Sequence, residues 1–242
     1  MPSIAMSDTE IETTVEALGK EMMIKGCHGY KDYPGKSILE AASMQVNKKK
    51  AENNAAIALI GVVLGANRNW EQAVQPKLDA LKSSEEYKEM TFEDLQQLLE
   101  KYDYVGFKAI WGHKDERKYN TLKELVKRIL TIAKANPQLK TDFDVMSGWA
   151  KDAKLEDRKN DILGSIPNVG IATFQHLRLT YGADTVKPDQ RVMEVLEVKF
   201  GEKLSPAKAI GEVEAIAKIT GHSVVMIDQI FVKYGSGYLK KN

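Results

Sequence analysis

The stretch Ile166–Val192, IPNVGIATFQHLRLTYGADTVKPDQRV, decides how the chain is read. It sets a tight Pro/Asn/Gly turn between two apolar segments and brings a carboxylate, Asp189, nineteen residues after Gly170. Pro167 fixes φ on the way into the turn, Asn168 tolerates a left-handed backbone, and Gly170 lets another chain approach without a Cβ in between. A helix is expected before the turn, over Asp157 to Gly164, and a second opens at Ile171. The turn's N–H groups then sit at a helix N-terminus, where unsatisfied amides and the helix dipole hold phosphate. The same Pro-Asn-x-Gly pattern also marks an ordinary helix–helix connection.

Outward from this stretch, helical periodicity dominates and strand alternation is scarce, so the fold class is all-α. Ala51 to Asn67 is apolar enough for a buried central helix, yet with Glu52 and two Asn at its start it is too short and polar to span a membrane. Thr91-Phe92-Glu93-Asp94 is a capped helix start, with Leu95, Leu98 and Leu99 as its apolar stripe. Asn120 or Thr121 caps a helix carrying Leu122, Leu125, Val126, Ile129, Leu130 and Ala133, which stops before Asn136-Pro137. Ser205-Pro206 starts another, His28 to Gly35 is an ordered loop, and Asp184 is a turn residue.

The 242 residues, 43% hydrophobic and 29% charged, suffice for one large or two small cores. With no secretory signal, no bilayer-spanning apolar run and only Cys27, a cytoplasmic chain without disulfides is expected. The lone Cys27 leaves nothing to bind an iron–sulfur cluster, and His28, His113, His176 and His222 lack ligand spacing, so no catalytic metal is expected. No Gly-rich nucleotide loop calls for an organic cofactor. The net charge of +1 is no nucleic-acid footprint, but Lys108 to Lys140 holds nine Lys or Arg against three acids. Such a run is either a solvated helix face or a phosphate contact.

The motif residues resemble the helix-hairpin-helix DNA glycosylases, the HhH-GPD superfamily that includes the endonuclease III-like base excision repair enzymes. Ile166-Pro167-Asn168-Val169-Gly170 is similar to the family hairpin, and Lys187-Pro188-Asp189-Gln190-Arg191-Val192 to the segment bearing its catalytic Asp. Asn168 departs from the usual first Gly, and Gln190 and Arg191 stand where the family often has His and a small or polar residue. The resemblance covers about Ala55 to Lys240. It implies two helical domains flanking a DNA-binding cleft with the hairpin at their junction: 54–180 as the middle domain, and 1–53 with 181–242 as the second. It also implies phosphate contacts at Pro167, Asn168, Val169, Gly170, Ala172, Thr173 and Lys187, and a monovalent cation on the carbonyls of Ile166 and Val169. Double-stranded DNA is the implied partner of a monomer, in a nucleoid or, in a eukaryote, the nucleus.

Cleaving an N-glycosidic bond builds positive charge on the sugar, so a carboxylate beside C1′ stabilises the transition state and can orient or deprotonate water. Asp189 is the candidate; a helix cap at the same place is the structural alternative. Duplex stacking hides that bond, so the nucleotide must be extruded at a cost of about a few kcal/mol. Where bifunctional relatives carry a Lys nucleophile this chain has Ala172, which implies a monofunctional enzyme leaving an abasic site. Asn67, Trp70, Trp111 and Tyr119 are candidates for the base pocket, with core packing as the other role open to each. Glu52, only at the beginning of the central helix, disfavours an adenine-mismatch substrate. A binding module that has lost catalysis is the competing function, and a helical scaffold for protein partners the third.

Overall fold

Local capping fixes where most helices of this chain begin. A computed structural model describes residues 4–49 and 54–239. Among the described residues there are twelve α-helices and no β-strand. In chain order they are α1 (Asp8–Lys20), α2 (Ile38–Lys49), α3 (Ala55–Gly65), α4 (Gln75–Ser83), α5 (Phe92–Lys101), α6 (Tyr104–Trp111), α7 (Glu116–Ala135), α8 (Asp142–Asp152), α9 (Ile171–Thr180), α10 (Gln190–Phe200), α11 (Pro206–Thr220) and α12 (Val224–Tyr238). One wide π turn, Trp70–Val74, precedes α4.

Thr91 and Asp94 form the expected reciprocal cap of α5, and α11 starts at Ser205-Pro206 as the sequence suggests. The long helix α7 begins earlier than expected. Asp115, not Asn120 or Thr121, caps it by accepting the N–H groups of Arg117 and Lys118. Asp157 to Gly164, expected to be a helix, is instead a succession of short turns. There the Asp161 carboxylate accepts from Leu163 and Gly164 N–H, so a side chain takes amides that a continuous helix would need.

The chain divides into two compact units, Met1–Ala51 with Asp184–Asn242, and Glu52–Ala183. The resemblance implies seams at 53/54 and 180/181. The second seam lies later because Tyr181 belongs to the α3 core: it is fully buried and its hydroxyl donates to the Ala55 carbonyl at 2.8 Å.

In the 52–183 unit, α3 is central and packs against α4, α5, α7, α8 and α9. Ten of its eleven residues are buried, so it is apolar all round rather than on one stripe. Glu52 and Ala51 to Asn53, read as its start, lie outside the described residues. In the other unit α12 packs against α1, α2, α10 and α11 through Ile227, Ile230, Phe231 and Tyr234. The His28 to Gly35 loop is tied to α12 by the buried Lys233, whose ammonium donates to the His28 carbonyl at 3.2 Å and lies over the Tyr33 ring. No single helix among the described residues is long and apolar enough to cross a membrane.

Candidate nucleic-acid interface

The turn and the acid lie in different units, and each is built locally. In the 52–183 unit, the Val169 N–H donates to the Ile166 carbonyl at 3.0 Å, closing the turn. Asn168 sits in the left-handed region at φ 70°, as its side-chain type permits. Its amide donates to the Thr121 hydroxyl at 3.3 Å, which ties the turn to α7. Pro167, Asn168 and Gly170 are exposed, Ala172 and Thr173 half-buried, and Val169 buried as the apolar anchor.

Gly170 is the N-cap of α9 and supplies no side-chain cap. Its N–H has no protein acceptor among the described residues. Its backbone, φ −77° and ψ −179°, is open to any residue, and a Cβ added there would meet nothing within 4 Å. Nothing inside the protein requires glycine at this point.

Three residues hold the turn, and of these only Thr121 is named from sequence, as a helix cap rather than as a partner of the turn. Asp161 takes two amides through Oδ1, at 2.8 and 2.7 Å, and accepts the Trp149 indole N–H at 3.0 Å on Oδ2. Arg158 donates from one guanidinium nitrogen to the carbonyls of Gly164 at 3.0 Å and Val169 at 2.7 Å. Gly164 makes room for it, because a Cβ there would stand 2.5 Å from the Arg158 carbonyl oxygen and 2.8 Å from its Cγ. Thr121 is the third, through Asn168. The one sequence signal for this set was Asp161 two and three residues before the amides it takes, an Asx-turn spacing.

In the other unit, Asp189 is the N-cap of α10. Its Oδ1 accepts the N–H groups of Arg191 at 2.9 Å and Val192 at 3.2 Å, so the capping role is real. Its Oδ2 makes no hydrogen bond among the described residues and faces Lys187 Nζ at 3.9 Å, with the Asp189 side chain 28% exposed. The approach to Asp189 is pinned to α12 twice. Asp184 accepts the Val225 N–H at 2.9 Å, and the buried Asp228 accepts the Lys187 N–H at 3.0 Å. Asp184 is thus more than a turn residue, since it serves the first turn of a distant helix.

The pocket candidates separate by burial. Trp111 is fully buried and its indole N–H donates to the His113 carbonyl at 2.7 Å. Tyr119 is buried, with its hydroxyl 2.7 Å from the Leu99 carbonyl and 2.6 Å from that of Tyr102. Both rings are core, stacked edge-on around Phe107, and offer no face to a base. Trp70 is half-buried: it lies over Gly65, edge-on to His176, with its indole N–H on Gln75. Asn67 is exposed in a left-handed conformation just past α3.

Of the nine cations between Lys108 and Lys140, two are spent on structure. Lys118 caps the α3 end through the carbonyls of Leu64 at 3.0 Å and Ala66 at 2.6 Å, and burial, with Arg68 adding, holds its pKa below the ordinary lysine value. Arg128 pairs with Glu124 and reaches the Ile162 carbonyl and the Ser165 hydroxyl beside the turn. The other seven are exposed. Comparison of the chain with family models, with curated proteins and with solved structures gives no match.

Proposed function

We propose that this protein is a monofunctional DNA N-glycosylase of the helix-hairpin-helix kind. The turn Pro167–Gly170 grips a backbone phosphate through the amides at the start of α9, and Asp189 acts on the sugar of an extruded nucleotide. As the C1′–N bond breaks, its electron pair leaves with the base, which takes up a proton. Water then bonds to C1′ and gives up a proton, with the carboxylate of Asp189 balancing the charge on the sugar and orienting the water. No covalent amine intermediate arises at Ala172.

The observation that carries this reading is the division of labour within Asp189. One oxygen caps α10 and the other is left with a loose lysine contact at partial exposure. A protein that only bound DNA would gain nothing from an accessible carboxylate oxygen near phosphates. The cap itself favours the second reading, a binding module without catalysis, because its two amide bonds form whatever the other oxygen does.

The two readings part on D189N. Asn caps helices about as well as Asp, so the variant keeps the fold and removes the charge. Duplexes carrying uracil, thymine mismatches, oxidised guanine, hypoxanthine or alkylated purines are incubated with both proteins, and strand breaks are scored with and without alkali. Alkali-dependent breaks that vanish in D189N are expected. Binding without base release, unchanged by the substitution, would establish the module instead.

A further inference from the structure

The resemblance implies a soluble monovalent ion on the Ile166 and Val169 carbonyls, and the donor set does not suit one. The Ile166 carbonyl accepts the Val169 N–H and keeps a second lone pair, but the Val169 carbonyl accepts the Arg158 guanidinium at 2.7 Å, which brings a positive charge to the oxygen that a soluble cation would share. The same nitrogen of Arg158 reaches the Gly164 carbonyl at 3.0 Å, so the guanidinium gathers carbonyls from both sides of the turn. Its stem lies in the space that a Cβ at Gly164 would fill.

We propose that Arg158 is the resident cation of this turn, so that phosphate binding here requires no bound potassium or sodium. This rests on the phosphate-binding role given to the turn above. The Val169 C=O and the Gly170 N–H belong to one peptide unit, and a cationic donor on the oxygen polarises that unit and makes its N–H a stronger donor. That N–H is the one left without a protein acceptor. Arg158 forms no ion pair with a carboxylate among the described residues, so its charge also adds to the potential that a phosphate meets. A tethered guanidinium holds this charge at all salt compositions, whereas a soluble ion would have to be captured anew.

The test is the affinity of the full chain for a short undamaged duplex in the chloride salts of potassium, sodium, caesium and tetramethylammonium at equal ionic strength, since phosphate binding varies with total salt whatever the ion. Tetramethylammonium is too large to sit among carbonyls. The wild type is expected to bind equally within about twofold in all four. The variant R158M should lose about tenfold or more in tetramethylammonium and regain part of that in potassium, a selectivity that a merely structural role for Arg158 would not create. Should R158M fail to fold, R158K decides in its place: affinity indifferent to the ion supports the proposal, and dependence on potassium overturns it. Wild-type binding that collapses in tetramethylammonium, or R158M that binds like wild type, would also overturn it. Absence of binding in every salt would instead sink the phosphate-binding reading itself, and this proposal with it.

Discussion

Gly170→Ala separates folding from binding at the turn. Two small terms act on stability. Alanine is a poorer N-cap than glycine by about 1 kcal/mol. Against this, a Gly→Ala change at a compatible φ stabilises by about 0.4–1 kcal/mol through the unfolded chain. At φ −77° the backbone is compatible, and no atom within 4 Å opposes the methyl, so the terms nearly cancel. A net change within about 0.5 kcal/mol corresponds to a melting shift within about 2 °C for a chain of this length. Binding should behave differently, because the methyl stands on the open side where a phosphate must reach the α9 amides. Losing a charge-assisted hydrogen bond costs about 1.5–3 kcal/mol, or about 10- to 100-fold in Kd. Gly164→Ala is the contrast: its Cβ would meet the Arg158 carbonyl oxygen at 2.5 Å and Phe174 Cε2 at 2.9 Å. Backbone cannot yield as a flexible side chain can, so about 3 kcal/mol is lost, or roughly 9 °C. Calorimetry and fluorescence anisotropy on a labelled duplex read both quantities. Unchanged affinity in G170A with an unchanged melting point would refute phosphate binding at this turn.

Two further substitutions test the support of the site. Asp161→Ala strands the Trp149 indole N–H and two backbone amides and should cost about 2–4 kcal/mol, lowering the melting temperature by roughly 6–12 °C; an unaltered melt would mean that water replaces the carboxylate without loss. Tyr181 is fully buried, and that burial pushes its phenol well above the ordinary value. The folded chain therefore keeps a proton that the unfolded chain gives up above about pH 10, and stability falls there by about 1.4 kcal/mol per pH unit from this group. Y181F should be about 1 kcal/mol less stable at neutral pH, having lost the bond to Ala55, yet show a shallower alkaline decline in denaturant titrations. Parallel declines in the two proteins would place the alkaline lability elsewhere.

The sequence by itself determined the all-α class and many of the helix starts. The information for a cap lies within three or four residues, as in Thr91 with Asp94, Ser205 with Pro206, or Asp189 with the amides that follow it. The left-handed turn at Asn168 was equally legible, being set by one residue's own side chain. Even local reading failed where two local signals competed. Asp115 outranked Asn120 and Thr121 as a cap, and Asp161 drew off the amides that would have continued a helix through Gly164. Only the tertiary structure decided the roles of Trp111 and Tyr119, because an aromatic ring at a helix end is core or surface according to what packs over it from elsewhere in the chain. It likewise decided that Lys118 closes α3, fifty-four residues away at Leu64, and that Arg158 gathers the carbonyls of the turn. A long cationic side chain reaches several ångströms past its own backbone, and which carbonyls it finds depends on how distant segments are packed, not on its neighbours in sequence.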